Sequence, residues 1–258
     1  MGTVWARMRA MLRAASFALA AALSLVAAAC DSDSTRVIAA FDAGGPSATI
    51  EPRALPEPPK APDIIVDVAN VSIGSDRVPA GQQGLADKVA VLLVGRPAIA
   101  GQVVDFVAMR SAKPSQVAAV VSALRRARAT GVNVKTAARD DTTQKLALSF
   151  VTGVADCATV AWIAKDAAVD VWPAGGGTAK RIIKGMAGPD MTLGTEAVHK
   201  QAGGCNSPEL IVGADERFSW GLVFDLAMMS LHEPGARTTA VVLVSNATPG
   251  RKIVLDAP

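Results

Sequence analysis

The chain has 258 residues, half of them hydrophobic, with a formal net charge of +3 and no tyrosine. Three of its 26 basic residues and none of its 23 acidic residues lie in the first 29 positions, so the remainder is electrically neutral. A neutral chain lacks the basic surface that displaces counterions, which excludes nucleic-acid binding as the expected function.

The first 29 residues have the three zones of a secretory signal. Arg7, Arg9 and Arg13 precede an apolar run at 14–29, which ends in small residues directly before Cys30. The run is about 16 residues long, whereas a membrane-spanning helix needs roughly 20. Small residues before a cysteine and polar residues after it resemble a bacterial lipobox, which implies cleavage before Cys30 and attachment of a lipid to it. Plain secretion and an uncleaved anchor remain open as alternatives.

Residues 30–62 are predicted to form a flexible tether. They contain Gly44-Gly45-Pro46 and a cluster of prolines from Pro52 to Pro62, and proline supplies no backbone donor to a helix or a strand ladder. The signal and the tether together predict a periplasmic lipoprotein anchored in a membrane through Cys30. The choice between inner and outer membrane stays open.

Apart from Cys30, the chain contains two cysteines, Cys157 and Cys205. A lone pair of cysteines in an oxidising periplasm favours a disulfide. Two buried free thiols are the alternative, because the sequence does not supply the distance between the two residues.

The first half of the ordered chain is predicted to be a unit of strands and amphipathic helices. The predicted elements are strands at 64–68 and 71–78, a helix at 81–94, a strand at 103–109, a helix opened by Pro114 and ended by Gly131, and strands at 132–135 and 146–151. Apolar alternation supports the strands, and apolar spacings of three and four support the helices. Ser115 is predicted to cap the second helix.

The second half repeats this order. Its predicted elements are hairpin strands at 159–163 and 168–172 around Lys165-Asp166, a Gly-rich loop at 174–190, a helix at 191–202, a strand at 209–213, a helix from Ser219, and strands at 239–244 and 252–255. The second helices align without gaps, so that Val117 falls on Val223 and Val120 on Leu226. We therefore predict an α+β duplication with units at 63–152 and 153–258. Each unit would be a mixed β-sheet with two helices on one face.

One motif in the second half is the most specific in the chain. Residues 211–223 read Ile-Val-Gly-Ala-Asp-Glu-Arg-Phe-Ser-Trp-Gly-Leu-Val, in which a strand, an Ala-Asp pair and an aromatic-Gly pair lead into an amphipathic helix. The motif and the order of elements resemble the periplasmic domain of the ExbD/TolR family of biopolymer-transport proteins. The first half is a weaker match, with Pro114-Ser115 in place of the aromatic-Gly pair.

The resemblance implies two tandem copies of that domain and a non-enzymatic function at the cell envelope. The expected partner is an envelope protein, bound through a sheet edge, or peptidoglycan. Family members with motor function carry an aspartate in a transmembrane helix, as a proton relay requires, but the run at 14–29 contains no acid. Two alternatives remain: a subunit of a proton-driven ExbB/ExbD-type complex that retains residues 1–29, and an unrecognised periplasmic enzyme.

Candidate partner-binding residues lie in the second half: Trp172, Gly175, Gly176, Gly177 and Trp220. Long loops often carry function, and aromatic side chains are favoured at interfaces. Packing in the core is the other interpretation of Trp172 and Trp220, as it is of Trp162. The spacing around the three glycines does not fit a phosphate-binding loop. His199 and His232 are expected at a helix cap or on the surface. We expect no catalytic residue, metal site or cofactor, and self-association into a homodimer stays open.

Overall fold

The computed structural model of the protein describes residues 60–140 and 142–255, all within one compact unit that spans Pro56–Pro258. The predicted signal, Cys30 and the tether up to residue 59 lie outside the described residues. The described strands are β1 (Ile64–Val66), β2 (Asn70–Ile73), β3 (Asp76–Pro79), β4 (Val103–Ala108), β5 (Gly131–Ala137), β6 (Thr143–Leu148), β7 (Thr159–Ile163), β8 (Val169–Pro173), β9 (Lys180–Ile182), β10 (Glu209–Ala214) and β11 (Ala240–Leu243). The described helices are α1 (Leu85–Leu93), α2 (Pro114–Arg126), α3 (Met191–Gly203) and α4 (Trp220–His232).

These eleven strands join one mixed sheet in the order β3-β2-β1-β4-β5-β6-β11-β10-β7-β8-β9. The three strands at each end run antiparallel, while β1, β4 and β5 run parallel to one another, as do β7, β10 and β11. Between these sets, β6 is antiparallel to β5 and parallel to β11. The expected combination of helices with a mixed sheet is confirmed. The two halves, however, share one continuous sheet and do not form a sheet each.

The order of elements after β1 recurs after β7. Each half runs strand, strand, strand, helix, strand, helix, strand, and the first half adds β6. The first strand of each half pairs in parallel with the strand after the first helix, as Val66 does with Ala108 and Ile163 does with Ala214. A parallel pair needs a crossover connection, and the helices supply it. The division at 152/153 stays a prediction.

The two faces of the sheet are covered differently. One face packs against all four helices in the main core, with Phe106 of β4 and Leu226 of α4 almost completely buried. Side chains alternate along a strand, so Trp162 of β7 points to the other face. There it packs with residues of the segments 151–158 and 244–255, and no helical residue belongs to this second cluster. Loop segments therefore cover part of the helix-free face.

Two predicted features of α2 are wrong. Lys113 occupies the N-cap position, and its N–H donates to the Gln116 side chain at 2.8 Å, so Ser115 lies inside the first turn. The helix ends before Arg128, which itself takes a left-handed φ of 65°. Gly131, the predicted end of the helix, is the first residue of β5.

Three strand predictions also need correction. A turn at Gly74, with a φ of 60°, divides the predicted strand at 71–78 into β2 and β3. The predicted loop at 174–190 contains β9. The predicted strand at 252–255 is not formed; Ile253 instead donates its N–H to the Ala174 carbonyl at 2.8 Å.

Candidate functional site

A groove of about 700 Å³ lies between α2 and the place where β6 meets β11. Its helical wall is built from small side chains, including Ala118, Ala119 and Ser122. The opposite wall is built from Phe150, after the end of β6, and from the end of β11 and the residues that follow it. Small side chains on the helix leave room for a segment of backbone beside the strand.

The groove forms because β6 and β11 pair over one position and then diverge. Val241 is the register partner of Leu148, and its carbonyl accepts the N–H of Ser149 at 2.8 Å. No further register pair joins the two strands. The chain after Ser149 therefore leaves the sheet while β11 continues.

Beyond this point β11 is hydrogen bonded on one side only. The N–H of Val244 donates to the Val212 carbonyl of β10 at 3.0 Å. Backbone groups of alternate residues in a parallel strand point to opposite sides, so the N–H and C=O of Leu243 point away from β10 and into the groove. Within 60–140 and 142–255, neither group of Leu243 has a hydrogen-bond partner on that side.

Two arginines lie at the C-terminal end of the helical wall. Arg125 donates to the Val151 carbonyl at 3.1 Å, which ties the diverging segment to α2. Arg126 forms an ion pair of 2.6 Å with Asp87, outside the groove. Among the described residues these arginines are the only charged side chains that line the groove, and each already has a partner within the chain.

The outer edges of the sheet are less suited to pairing with another strand. β3 has four residues, which include Asp76 and Pro79. β9 has three, of which Lys180 and Arg181 are charged. Short strands, charged side chains and proline are the features with which proteins block edge pairing. The backbone at Leu243 has none of these protections.

The motif that carries the family resemblance lies where two strand–helix turns meet. The Trp220 N–H donates to the Ala112 carbonyl at 2.7 Å, and the Gly221 N–H donates to the Arg110 carbonyl at 2.9 Å. Trp220 is fully buried, and its indole donates to the Thr136 hydroxyl at 2.8 Å. The expectation that Trp220 forms part of a partner-binding surface is therefore corrected: the side chain belongs to the core.

Arg110 extends the same contact with an ion pair. Its guanidinium donates two hydrogen bonds to the Asp225 carboxylate, at 2.9 and 2.6 Å, and Arg139 donates a third at 3.0 Å. The hydrogen bond to Asp225 raises the pKa of Arg110. A Cβ at Gly221 would lie 3.0 Å from the Arg110 side chain, so glycine makes room for this arginine. The aromatic-Gly pair thus joins the two halves of the chain.

Trp172 is enclosed by the C-terminal segment. Its side chain has no exposed surface, and its indole donates to the Arg251 carbonyl at 2.9 Å. Core packing, one of the two interpretations of Trp172, is confirmed, and an exposed binding role is wrong, because a segment almost eighty positions further along the chain folds over it. Its burial places it in the second core cluster.

Of the three glycines at 175–177, Gly176 and Gly177 pack against the same segment, whereas the Gly175 N–H donates to the Asp156 carbonyl at 2.7 Å. The Gly177 N–H donates to the Gly250 carbonyl at 2.9 Å. A Cβ at Gly176 would lie 3.1 Å from the Lys252 backbone nitrogen, and Gly176 has a φ of 93°. Glycine is needed here for the close approach of two backbone segments. All three candidate glycines therefore contact the chain itself, two of them through its C-terminal segment.

Cys157 and Cys205 form a disulfide, with Cα atoms 5.5 Å apart. The predicted bond is confirmed, and the alternative of two free thiols is wrong. It ties the loop before β7 to the residues that follow α3. The disulfide therefore fixes α3 to the end of the sheet.

The two histidines contact main-chain carbonyls and one carboxylate. His199 lies 2.9 Å from the Ser230 carbonyl and 3.2 Å from the Glu233 carboxylate, and His232 lies 2.9 Å from the Met228 carbonyl. The described residues contain no group of three or more His, Cys, Asp or Glu side chains arranged to hold a metal ion.

Asp170 of β8 carries a buried carboxylate near one end of the strand order, next to β9. Both of its oxygens accept hydrogen bonds from Arg181, at 3.0 and 2.8 Å, and Arg181 also pairs with Asp166. Burial raises the pKa of Asp170, against the opposing effect of Arg181. The pair joins β8 to β9 and does not open onto a groove.

Comparison of the chain with protein-family models, curated proteins and solved structures finds no match. Among the described residues, no helix has the length and hydropathy needed to cross a bilayer. The groove is thus identified from its geometry. Sequence patterns missed Leu243 and Phe150 as site residues, since the divergence of β6 from β11 depends on pairing between distant segments. The sequence bore on this site in one respect only, the expectation that a partner binds through an edge of the sheet.

Proposed function

We propose that the protein is a non-enzymatic binding module of the bacterial cell envelope, which receives an extended segment of a partner protein in the groove beside β11. The open backbone of Leu243 carries this proposal. A strand in the groove would occupy the place that β6 leaves after Leu148, and would pair with the N–H and C=O of Leu243. Strand addition of this kind takes its affinity from main-chain hydrogen bonds.

The walls of the groove suggest the chemistry of the bound segment. Ala118, Ala119 and Ser122 permit close approach of a backbone, and Phe150 provides an apolar contact. The proposed ligand is therefore a short extended peptide with small or apolar side chains.

We propose that this module is held at a membrane by a lipid on Cys30. The lipobox-like residues before Cys30 and the Cys157–Cys205 disulfide both support an exported protein in an oxidising compartment. Mass spectrometry of the native amino terminus tests this assignment. A lipidated Cys30 is the expected result, whereas an intact Met1 would favour a subunit that keeps residues 1–29 as a membrane anchor.

We also propose that residues 63–152 and 153–258 are related units of the ExbD/TolR type. The recurrence of element order after β1 and β7, with the same parallel pairing, supports this relationship. The apolar run at 14–29 has no acidic residue, so the proposed role is binding without proton conduction.

Photo-crosslinking in cells tests the peptide groove. A photoreactive amino acid replaces Ser245, which is exposed and lines the groove, in the full chain. The matched control places it at Val91, which is 77% exposed on α1. We expect a defined crosslinked protein from position 245 and not from position 91.

Substitution of Leu243 separates main-chain pairing from side-chain contact. Leu243→Pro removes the N–H that faces the groove without removing a bond to β10, and Leu243→Ala shortens the side chain but keeps the N–H. The crosslinked product should disappear with proline and persist with alanine, while both variants keep the disulfide. Strand addition would be overturned if the crosslinked product disappeared with both variants or did not form at position 245. It would also be overturned if the protein bound purified peptidoglycan in a sedimentation assay and captured no protein.

A further inference from the structure

The loop at 183–187, between β9 and α3, is an exposed apolar tip. All five of its residues are exposed, and Ile183 and Met186 are 78% and 108% exposed. We propose that this tip contacts the surface of an anionic lipid bilayer. The surface is separate from the peptide groove and does not depend on it.

The tip is held in shape by its own backbone. The Gly185 N–H donates to the Gly188 carbonyl at 2.8 Å, and the two residues form an isolated antiparallel bridge around Met186. At the base, Ile182 is buried in the main core. The alternation along β9 therefore turns Ile183 outward while Ile182 fixes the strand. A rigid base presenting apolar side chains can enter a headgroup layer with little ordering cost.

Positive charge surrounds the apolar tip. Lys180 and Lys184 are both exposed, and neither makes an ion pair with any other described residue. Arg181 is already paired with Asp166 and Asp170. No acidic residue occurs in the sequence between Asp170 and Asp190. An apolar tip with unpaired lysines complements a surface of acyl chains beneath anionic headgroups.

The tip is small, so its contact with the membrane would add to that of a separate anchor. Each lysine near an anionic surface should raise partition onto it roughly fivefold, and two apolar side chains add to this. Such a contact alone binds a membrane weakly, but a protein is commonly anchored stably by two weak membrane-binding elements, such as a lipid chain and a basic surface. A lipid on Cys30 would keep the tip near the bilayer, where this affinity is sufficient.

Fluorescence of the full chain in vesicles tests the contact. An environment-sensitive fluorescent amino acid replaces Met186, and the control replaces Val91, which is 77% exposed on α1. Each protein is reconstituted by detergent removal into phosphatidylcholine vesicles with or without phosphatidylglycerol. Spin-labelled lipids then quench any fluorophore that enters the headgroup layer.

We expect quenching at position 186 at least about twofold above that at position 91, in vesicles that contain phosphatidylglycerol only. Lys180→Glu with Lys184→Glu should return it to the level of position 91 while thermal unfolding is unchanged. Equal quenching at both positions would overturn the proposal. Quenching at position 186 that is equally strong with and without phosphatidylglycerol would overturn it too, since the two lysines would then contribute nothing.

Discussion

The indole of Trp220 donates a hydrogen bond of 2.8 Å to the hydroxyl of Thr136, and both side chains are fully buried. Thr136 lies on β5 in the first half of the chain, and Trp220 begins α4 in the second half. The Thr136 hydroxyl in turn donates to the Ala108 carbonyl at 3.1 Å. The halves are thus joined by a buried polar network as well as by the sheet, and we expect them to unfold together.

Replacement of Thr136 by valine tests this connection. The change keeps the volume of the side chain but leaves the Trp220 N–H and the Ala108 carbonyl without their partner. Loss of a buried hydrogen bond should lower the free energy of unfolding by about 1–3 kcal/mol. Urea denaturation measures it, with Thr130→Val at an exposed site as the control. A change within about 0.5 kcal/mol, as for an ordinary surface site, would contradict the role of the network.

Gly213 on β10 should not tolerate a side chain. A Cβ there would lie 2.5 Å from the Trp162 ring and 2.6 Å from the Val244 carbonyl. Gly213→Ala should therefore lower the free energy of unfolding by about 1–3 kcal/mol through overpacking. Gly203→Ala is the matched control, since nothing lies within 4 Å of its Cβ position. Equal melting temperatures for the two variants would show that β10 moves to accept the methyl group.

The disulfide should contribute measurably to stability. Cys157 and Cys205 are 48 positions apart, so the bond closes a long loop in the unfolded chain. Replacing both cysteines by serine should lower the free energy of unfolding by about 2–4 kcal/mol. Denaturation of the wild-type protein with a reducing agent should give the same midpoint as the double variant. An unchanged midpoint in both experiments would be inconsistent with this contribution.

Asp170→Asn should alter the pH dependence of stability. Burial raises the pKa of Asp170 above its ordinary value. Its protonated form therefore favours the folded state, so this contribution is present at low pH and is lost as the pH rises through the folded-state pKa. The free energy of unfolding of wild type relative to Asp170→Asn should fall as the pH rises above about 4, the ordinary pKa of an aspartate.

Asp105 provides the opposite case for the same measurement. Hydrogen bonds from Lys135 and Asn133 lower the pKa of Asp105. Its contribution is therefore present above the unfolded-state pKa and is lost as the pH falls. Denaturant unfolding should show wild type gaining stability over Asp105→Asn as the pH rises toward about 4, the ordinary pKa of an aspartate. If the stability of wild type relative to each variant changed with pH in the same direction for Asp170→Asn and Asp105→Asn, the opposite pKa shifts of the two aspartates would be contradicted.

Local patterns predicted those elements whose residues interact along the chain. The strand at Val103–Ala108, the helix at Met191–Gly203 and the β7–β8 hairpin around Lys165-Asp166 follow from short-range periodicity and turns. β9 escaped prediction because three residues, two of them charged, give no periodic signal. Their strand pairing depends on β8.

Distant contacts account for the other differences. Trp172 was a candidate binding residue because it lies at a strand end beside the Gly-rich loop, but the segment at 244–255 covers it. The groove depends on the point where β6 ends relative to β11, a register between distant strands that is set by tertiary packing. Sequence alone therefore predicted sheet-edge binding in general and could not locate Leu243.

Amide hydrogen exchange of the full chain, bound to the protein captured through position 245, tests strand addition most directly. We expect exchange of the Leu243 amide to slow on binding, while exchange in β3 and β9 is unchanged. Slowed exchange in β3 or β9 with no change at Leu243 would contradict the proposal that the partner pairs with β11.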